Sequence, residues 1–264
     1  MTEAQPSHTF ETFELPSRAL GVSRRITVWL PPGRIQARDR FPVLYLNDGQ
    51  NLFEPQRAFA GVTWQVADTA AQLIEWGLIP RMLIVGIDHG GTRRAREFLP
   101  IEDHQNPDAK RPLGRRYAKF VVHELMPLIQ NAFPAERGAS VTGFGGSSYG
   151  AVAALFTALE HPGVFGRLLL ESPSLYVGRR YLLRRARGAR RWPARVYLGV
   201  GTAETRRADV NVETVANVQR LETILRARGL GARRLKVAVQ EGATHSEQAW
   251  ARRLPEALCF LYGR

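Results

Sequence analysis

The sequence predicts one α/β domain: a mostly parallel central sheet with an antiparallel N-terminal edge and helices on both faces. Three observations carry that prediction. Two stretches near the start alternate apolar and polar residues, as half-buried strands do. After them, short runs apolar on both faces alternate with longer helical patterns, the grammar of parallel strands covered by helices. The chain also shows no internal repeat, no low-complexity linker and no break in composition, so residues 1–264 read as a single unit.

In order, residues 9–15 and 26–30 are the alternating strands, the second ended by Pro31-Pro32-Gly33. Short runs that suit central parallel strands covered by helices follow at 43–46, 82–87, 140–142, 168–170, 196–200 and 235–239. Helical stretches lie between them at 64–76, 117–133, 149–160 and 212–228, with Gly77 and Gly229 as stop signals. Val215, Val218, Leu221 and Leu225 recur at helical spacing and read as a core-facing stripe. Strand and helix in alternation imply right-handed crossovers and a doubly wound sheet. Residues 172–192 fall outside this alternation and read as a small cap segment over the site.

Composition excludes several classes. Apolar residues are 44% of the chain, too many for disorder, and nowhere do about 18 uncharged apolar residues run together as a membrane span requires. The first ten residues lack the cationic start and apolar stretch of a secretory signal, and the single cysteine, Cys259, is read on the buried side of the last helix. A cytoplasmic location is the expectation. Net charge is +13, but the bases are mostly arginines spread along the chain. Only Arg179, Arg180, Arg184, Arg185, Arg187, Arg190 and Arg191 form a dense cluster, read as a solvated or substrate-side surface; no nucleic acid is expected as partner.

The strongest local signal is Gly146-x-Ser148-x-Gly150, between a short strand and the apolar helical run that follows. A serine on a tight strand-to-helix turn is strained, and side chains two residues either way would collide with neighbouring backbone. The following helix directs its free amides and dipole at developing negative charge. Ser147 is the competing hydroxyl but has no glycine two residues after it. Ser148 is therefore the expected nucleophile.

A serine needs a base. Of six histidines, only His245 comes late enough for the chain order serine, acid, histidine, in a loop just after the last strand. The strand at 196–200 runs into Gly201-Thr202-Ala203-Glu204, which puts Glu204 where an orienting carboxylate belongs. Asp209 and Glu213 are the alternatives on the same segment, and Glu171 is a further one. His89 follows the strand at 82–87 and is a candidate pocket residue, together with Phe53, Trp64 and Tyr176.

Several ordered motifs then resemble one family. They are Tyr45-Leu46-Asn47-Asp48-Gly49-Gln50-Asn51-Leu52-Phe53, Val85-Gly86-Ile87-Asp88 and Arg94-Ala95-Arg96-Glu97-Phe98-Leu99-Pro100, then the serine turn, Glu171-Ser172-Pro173-Ser174-Leu175, and the turns ending at Glu204 and His245. The chain is similar over nearly its whole length to the esterase D-like branch of α/β-hydrolases. That branch holds enterochelin and other siderophore esterases, feruloyl esterases and S-formylglutathione hydrolases, with mycolyltransferases as relatives. The resemblance implies a triad of Ser148, Glu204 and His245 and an oxyanion hole at the backbone N–H groups of Gln50 and Tyr149. It implies cleavage of a small carboxylic ester through an acyl-enzyme, with no metal or cofactor; acyl transfer to an alcohol is the alternative. Two departures stand out: the acid is glutamate where many relatives use aspartate, and Ala151 stands where a third glycine is common.

Overall fold

The structure, a computed structural model, describes residues 8–263. Eight strands form one sheet in the order β1-β2-β4-β3-β5-β6-β7-β8. They are β1 (Thr9–Ser17), β2 (Val22–Leu30), β3 (Val43–Asn47), β4 (Leu83–Ile87), β5 (Thr142–Ser147), β6 (Arg167–Glu171), β7 (Arg195–Gly201) and β8 (Leu235–Gln240). β1 and β2 pair antiparallel, as do β2 and β4, and every later pairing is parallel. The α/β-hydrolase architecture with its antiparallel N-terminal edge is therefore present.

Helices cover both faces: α1 (Val66–Glu75), α2 (Arg94–Phe98), α3 (Gly114–Phe120), α4 (Met126–Ala132), α5 (Tyr149–Glu160), α6 (Val177–Gly188), α7 (Ala208–Ala227) and α8 (Glu247–Tyr262). A π-helical turn, Val121–Leu125, joins α3 to α4, so the helical stretch expected at 117–133 is one continuous run. Two cores lie on opposite faces of the sheet. One packs α3, α5, α6 and α7 around Phe144, Phe156 and Leu170. The other packs α1 and α8 around Trp29, Trp64 and Leu169. Burial at this scale, about 25 cal/mol per Å² of apolar surface removed from water, is the main force holding the layers together.

Three expectations change here. The strand expected at 140–142 actually begins at Thr142 and runs through the glycines to Ser147, buried throughout. Glycine carries no apolar side chain, so the pattern faded where close packing required its absence. A Cβ on Gly145 would meet the Leu169 carbonyl oxygen at 2.7 Å. Cys259 is only half-buried on α8. Within residues 172–192, the helix α6 buries Val177, Leu182, Leu183 and Ala186 against α5 and α7. Only the stretch before it borders the site. Among the described residues, no helix is long and apolar enough to cross a membrane.

Candidate active site

The carboxyl ends of β3, β5, β6, β7 and β8 converge on one edge of the sheet. β5 delivers Ser148 into a turn with φ 54° and ψ −123°, a conformation that L side chains rarely adopt. Gly146 and Gly150 make room for it. A Cβ on Gly146 would lie 3.0 Å from Asn47 Cβ, and one on Gly150 would lie 2.9 Å from Asp48 Oδ2. The Ser148 amide donates to the Glu171 carbonyl at 2.9 Å, tying the turn to the end of β6. Ser147 is buried in the strand, whereas Ser148 is half-exposed.

Two loops meet to build the other half of the site. Behind β7, the Ala203 amide donates to the Ala243 carbonyl at 3.0 Å, and Gly201 sits so close to that carbonyl that a Cβ would overlap it. This contact brings Glu204 against His245, whose Nδ1 lies 2.5 Å from Glu204 Oε2. Glu204 Oε1 accepts from the Ser172 hydroxyl at 2.7 Å and the Gly201 amide at 2.6 Å. Burial alone would raise the Glu204 carboxyl, but the bond from His245, the imidazole charge, Ser172 and the Gly201 amide together hold it below its ordinary value. An ionised Glu204 accepting Nδ1–H leaves Nε2 as the lone-pair nitrogen. The Trp250 ring meets the imidazole edge to face at 5.1 Å, and its Nε1–H donates to Ser172 Oγ at 2.9 Å.

The other acids are engaged elsewhere. Asp209 pairs with Arg207 at 2.6 Å on the surface, and Glu213 pairs with Arg220 at 2.9 Å and with Arg180. Glu171 is buried and pairs with Arg253 at 2.6 Å. No hydrogen bond joins Ser148 Oγ to His245 among the described residues; the hydroxyl instead lies 3.3 Å from Ser174 Oγ. Catalytic hydrogen bonds often lengthen without substrate.

The loop after β3 is clamped onto the serine turn. Asn47 Nδ2 donates to the Gly150 carbonyl at 2.7 Å, and the Tyr117 hydroxyl holds the Asn47 amide from behind at 2.5 Å. Asp48 turns left-handed, φ 60°, and Arg94 grips its carboxylate with two bonds of 2.6 and 2.8 Å. Among the described residues, the amides of Gln50 and Tyr149 donate to no acceptor. Tyr149 directly follows Ser148, so its free N–H lies at the serine turn.

Ser148 and His245 line two cavities at once. The larger, about 730 Å³, includes Ser174, Tyr176, Glu204, Glu213 and Asn217. The smaller, about 290 Å³, includes Asn51, Phe59, His89, Arg94, Glu247 and Trp250. Of the expected pocket residues, Tyr176 lines the first and His89 the second. Trp64 and Phe53 line neither. Trp64 is buried against Trp250 at 5.6 Å, and Phe53 packs beside Phe10 at 5.2 Å. Arg184, Arg185, Arg190 and Arg191 of the arginine cluster border a separate concavity of about 460 Å³ that shares no residue with these two. Ser172, Asn47, Tyr117 and Arg94 shape the site without having been singled out as site residues. For Ser172, Asn47 and Arg94 the only signal was membership in the ordered motifs; Tyr117 was only the start of an expected helical stretch.

Known proteins resemble the chain in sequence and in structure. The chain is 23% identical over 246 residues to Uncharacterized protein YbbA of Bacillus subtilis (strain 168), covering 92% of this chain and 94% of that protein. In structure it is similar to the siderophore hydrolase EstB of Aspergillus nidulans, with a TM-score of 0.75 at 16% identity, covering all of this chain and 96% of that one. Enterochelin esterase of Shigella flexneri gives 0.74 at 22% identity; the match covers 97% of this chain but only 59% of that longer one. Residues 17–261 match the Esterase family, whose description is "Putative esterase", and the chain belongs to that family.

Proposed function

We propose that this chain is a serine hydrolase of small carboxylic esters, with Ser148 as nucleophile, His245 as base and Glu204 as the acid that orients it. The observation carrying this reading is the 2.5 Å contact of His245 Nδ1 with Glu204, made by a histidine that borders the same two cavities as Ser148. His245 Nε2 takes the Ser148 proton as Oγ attacks the ester carbonyl, and the Gln50 and Tyr149 amides receive the oxyanion. Collapse expels the alcohol, protonated by His245. Water, deprotonated by the same imidazole, then attacks the acyl-enzyme and releases the acid. The imidazole-bearing side chain is 35% exposed, so water can reach the acyl-enzyme.

Ser148→Ala should abolish hydrolysis of p-nitrophenyl acetate without lowering the melting temperature, and an organophosphonate should label Ser148 in the parent. Labelling of Ser147, or full activity in Ser148→Ala, would contradict the assignment. Product analysis with added alcohol separates hydrolysis from acyl transfer.

A further inference from the structure

The smaller cavity stands apart in charge from the rest of this basic molecule. Most buried acids have a cation: Asp48 has Arg94, Asp88 has Arg57, Glu97 has Arg24 and Arg93, Glu171 has Arg253, and Glu204 has His245. Asp103 has none but accepts from the Tyr149 hydroxyl at 2.7 Å and the Gln105 amide at 3.0 Å. Glu247, 9% exposed and bordering the smaller cavity, has no cation within 4.0 Å among the described residues. That is unexpected in a chain of net charge +13.

Its surroundings hold Glu247 as an acceptor. Asn51 Oδ1 takes the Phe59 amide at 3.0 Å, which turns Asn51 Nδ2 toward Glu247 Oε1, also 3.0 Å away. Glu247 is the first residue of α8, where the helix dipole favours negative charge. Burial pushes its carboxyl upward, a penalty that an arriving cation would offset. The other charges in the cavity cancel or vanish. Arg94 is spent on Asp48, His245 is paired with Glu204, and burial pushes the His89 imidazole below its ordinary value, toward the neutral form. One negative charge therefore remains, beside the rings of Trp250 and of Phe59, the latter 74% exposed. A carboxylate among aromatic faces is the chemistry that binds ammonium groups.

We propose that Glu247 is a specificity-determining residue: the half of the ester seated in the smaller cavity carries an ammonium group, read by Glu247 between Phe59 and Trp250. This rests on the esterase reading above and names its substrate class.

Two matched ester pairs test it, each differing only by a quaternary nitrogen against its neutral carbon isostere. In one pair the charge is on the alcohol half, butanoylcholine against dimethylbutyl butanoate. In the other it is on the acyl half, the p-nitrophenyl esters of trimethylammoniobutanoate and of its carbon isostere. In the parent, one pair should favour the cation in kcat/KM by about tenfold at low ionic strength, with the preference shrinking in salt. Glu247→Gln should bring that ratio near one. Phe59→Ala, at an exposed ring that the fold does not need, should lower it by about threefold and serves if Glu247→Gln does not fold. Parent ratios at or below one in both pairs, or a preference that survives Glu247→Gln in a folded variant, would overturn the proposal while leaving ester hydrolysis intact. If no ester is hydrolysed and Ser148 takes no phosphonate, the esterase reading fails and this inference fails with it.

Discussion

Ser172→Ala tests whether Glu204, the proposed triad acid, is held in place by the Ser172 hydroxyl and the Trp250 indole behind it. The hydroxyl donates to Glu204 Oε1 at 2.7 Å and accepts from Trp250 Nε1 at 2.9 Å, both buried. Its backbone is left-handed, φ 43°, and alanine bears that strain as serine does, so the backbone contribution cancels. What remains is a buried indole N–H without an acceptor and a carboxylate reduced from three bonds to two. Each loss costs about 1–2 kcal/mol, or about 3 kcal/mol together. For a chain of this size that lowers the melting temperature by roughly 6–12 °C. A loosened Glu204 no longer fixes the imidazole, so kcat should fall about tenfold, as when groups behind a catalytic ligand are removed. Thermal denaturation and p-nitrophenyl acetate kinetics read the two effects. Trp250→Phe and the double variant complete a cycle in which the losses should couple. A melting-temperature change under roughly 2 °C with kcat within about twofold of the parent would refute the reasoning.

Glu204→Gln should lower kcat by about three to four orders of magnitude, because the imidazole loses both its orientation and its countercharge, while Asp209→Asn and Glu213→Gln change kcat little; steady-state kinetics of the three decide which acid serves. Burial pushes the Glu171 carboxyl up to about 7 despite Arg253. Its folded value lies above its unfolded value of about 4.3, so the folded chain binds the extra proton, and stability should rise as pH falls from about 7 toward about 5. Urea denaturation across that range should show a flatter profile in Glu171→Gln. Replacing Arg184, Arg185 and Arg187 with glutamine should spare hydrolysis of small neutral esters; a tight, steeply salt-dependent DNA affinity lost in that variant would contradict the reading of the cluster as a solvated surface.

Local patterns determined the sheet, its antiparallel edge and the serine turn, because hydrophobic period and glycine spacing are properties of neighbouring residues. The turn after β5 was legible for that reason, and so was the late histidine. The contact of Glu204 with His245 was not: it spans 41 residues and depends on Gly201 lying against Ala243, a packing event between two loops. Ser172, 32 residues from Glu204, has no periodic or compositional mark of its own. Trp64 and Phe53 were ambiguous because an aromatic side chain suits a core and a pocket equally, and only packing around Trp250 and Phe10 separates the two. The glycines of β5 carried the opposite ambiguity, looking like loop while forming a buried strand. Glu247 shows the limit most plainly. In sequence it is one acid beside a helix start, and its lack of a described cation within 4.0 Å exists only once the folded chain has paired the other charges around it.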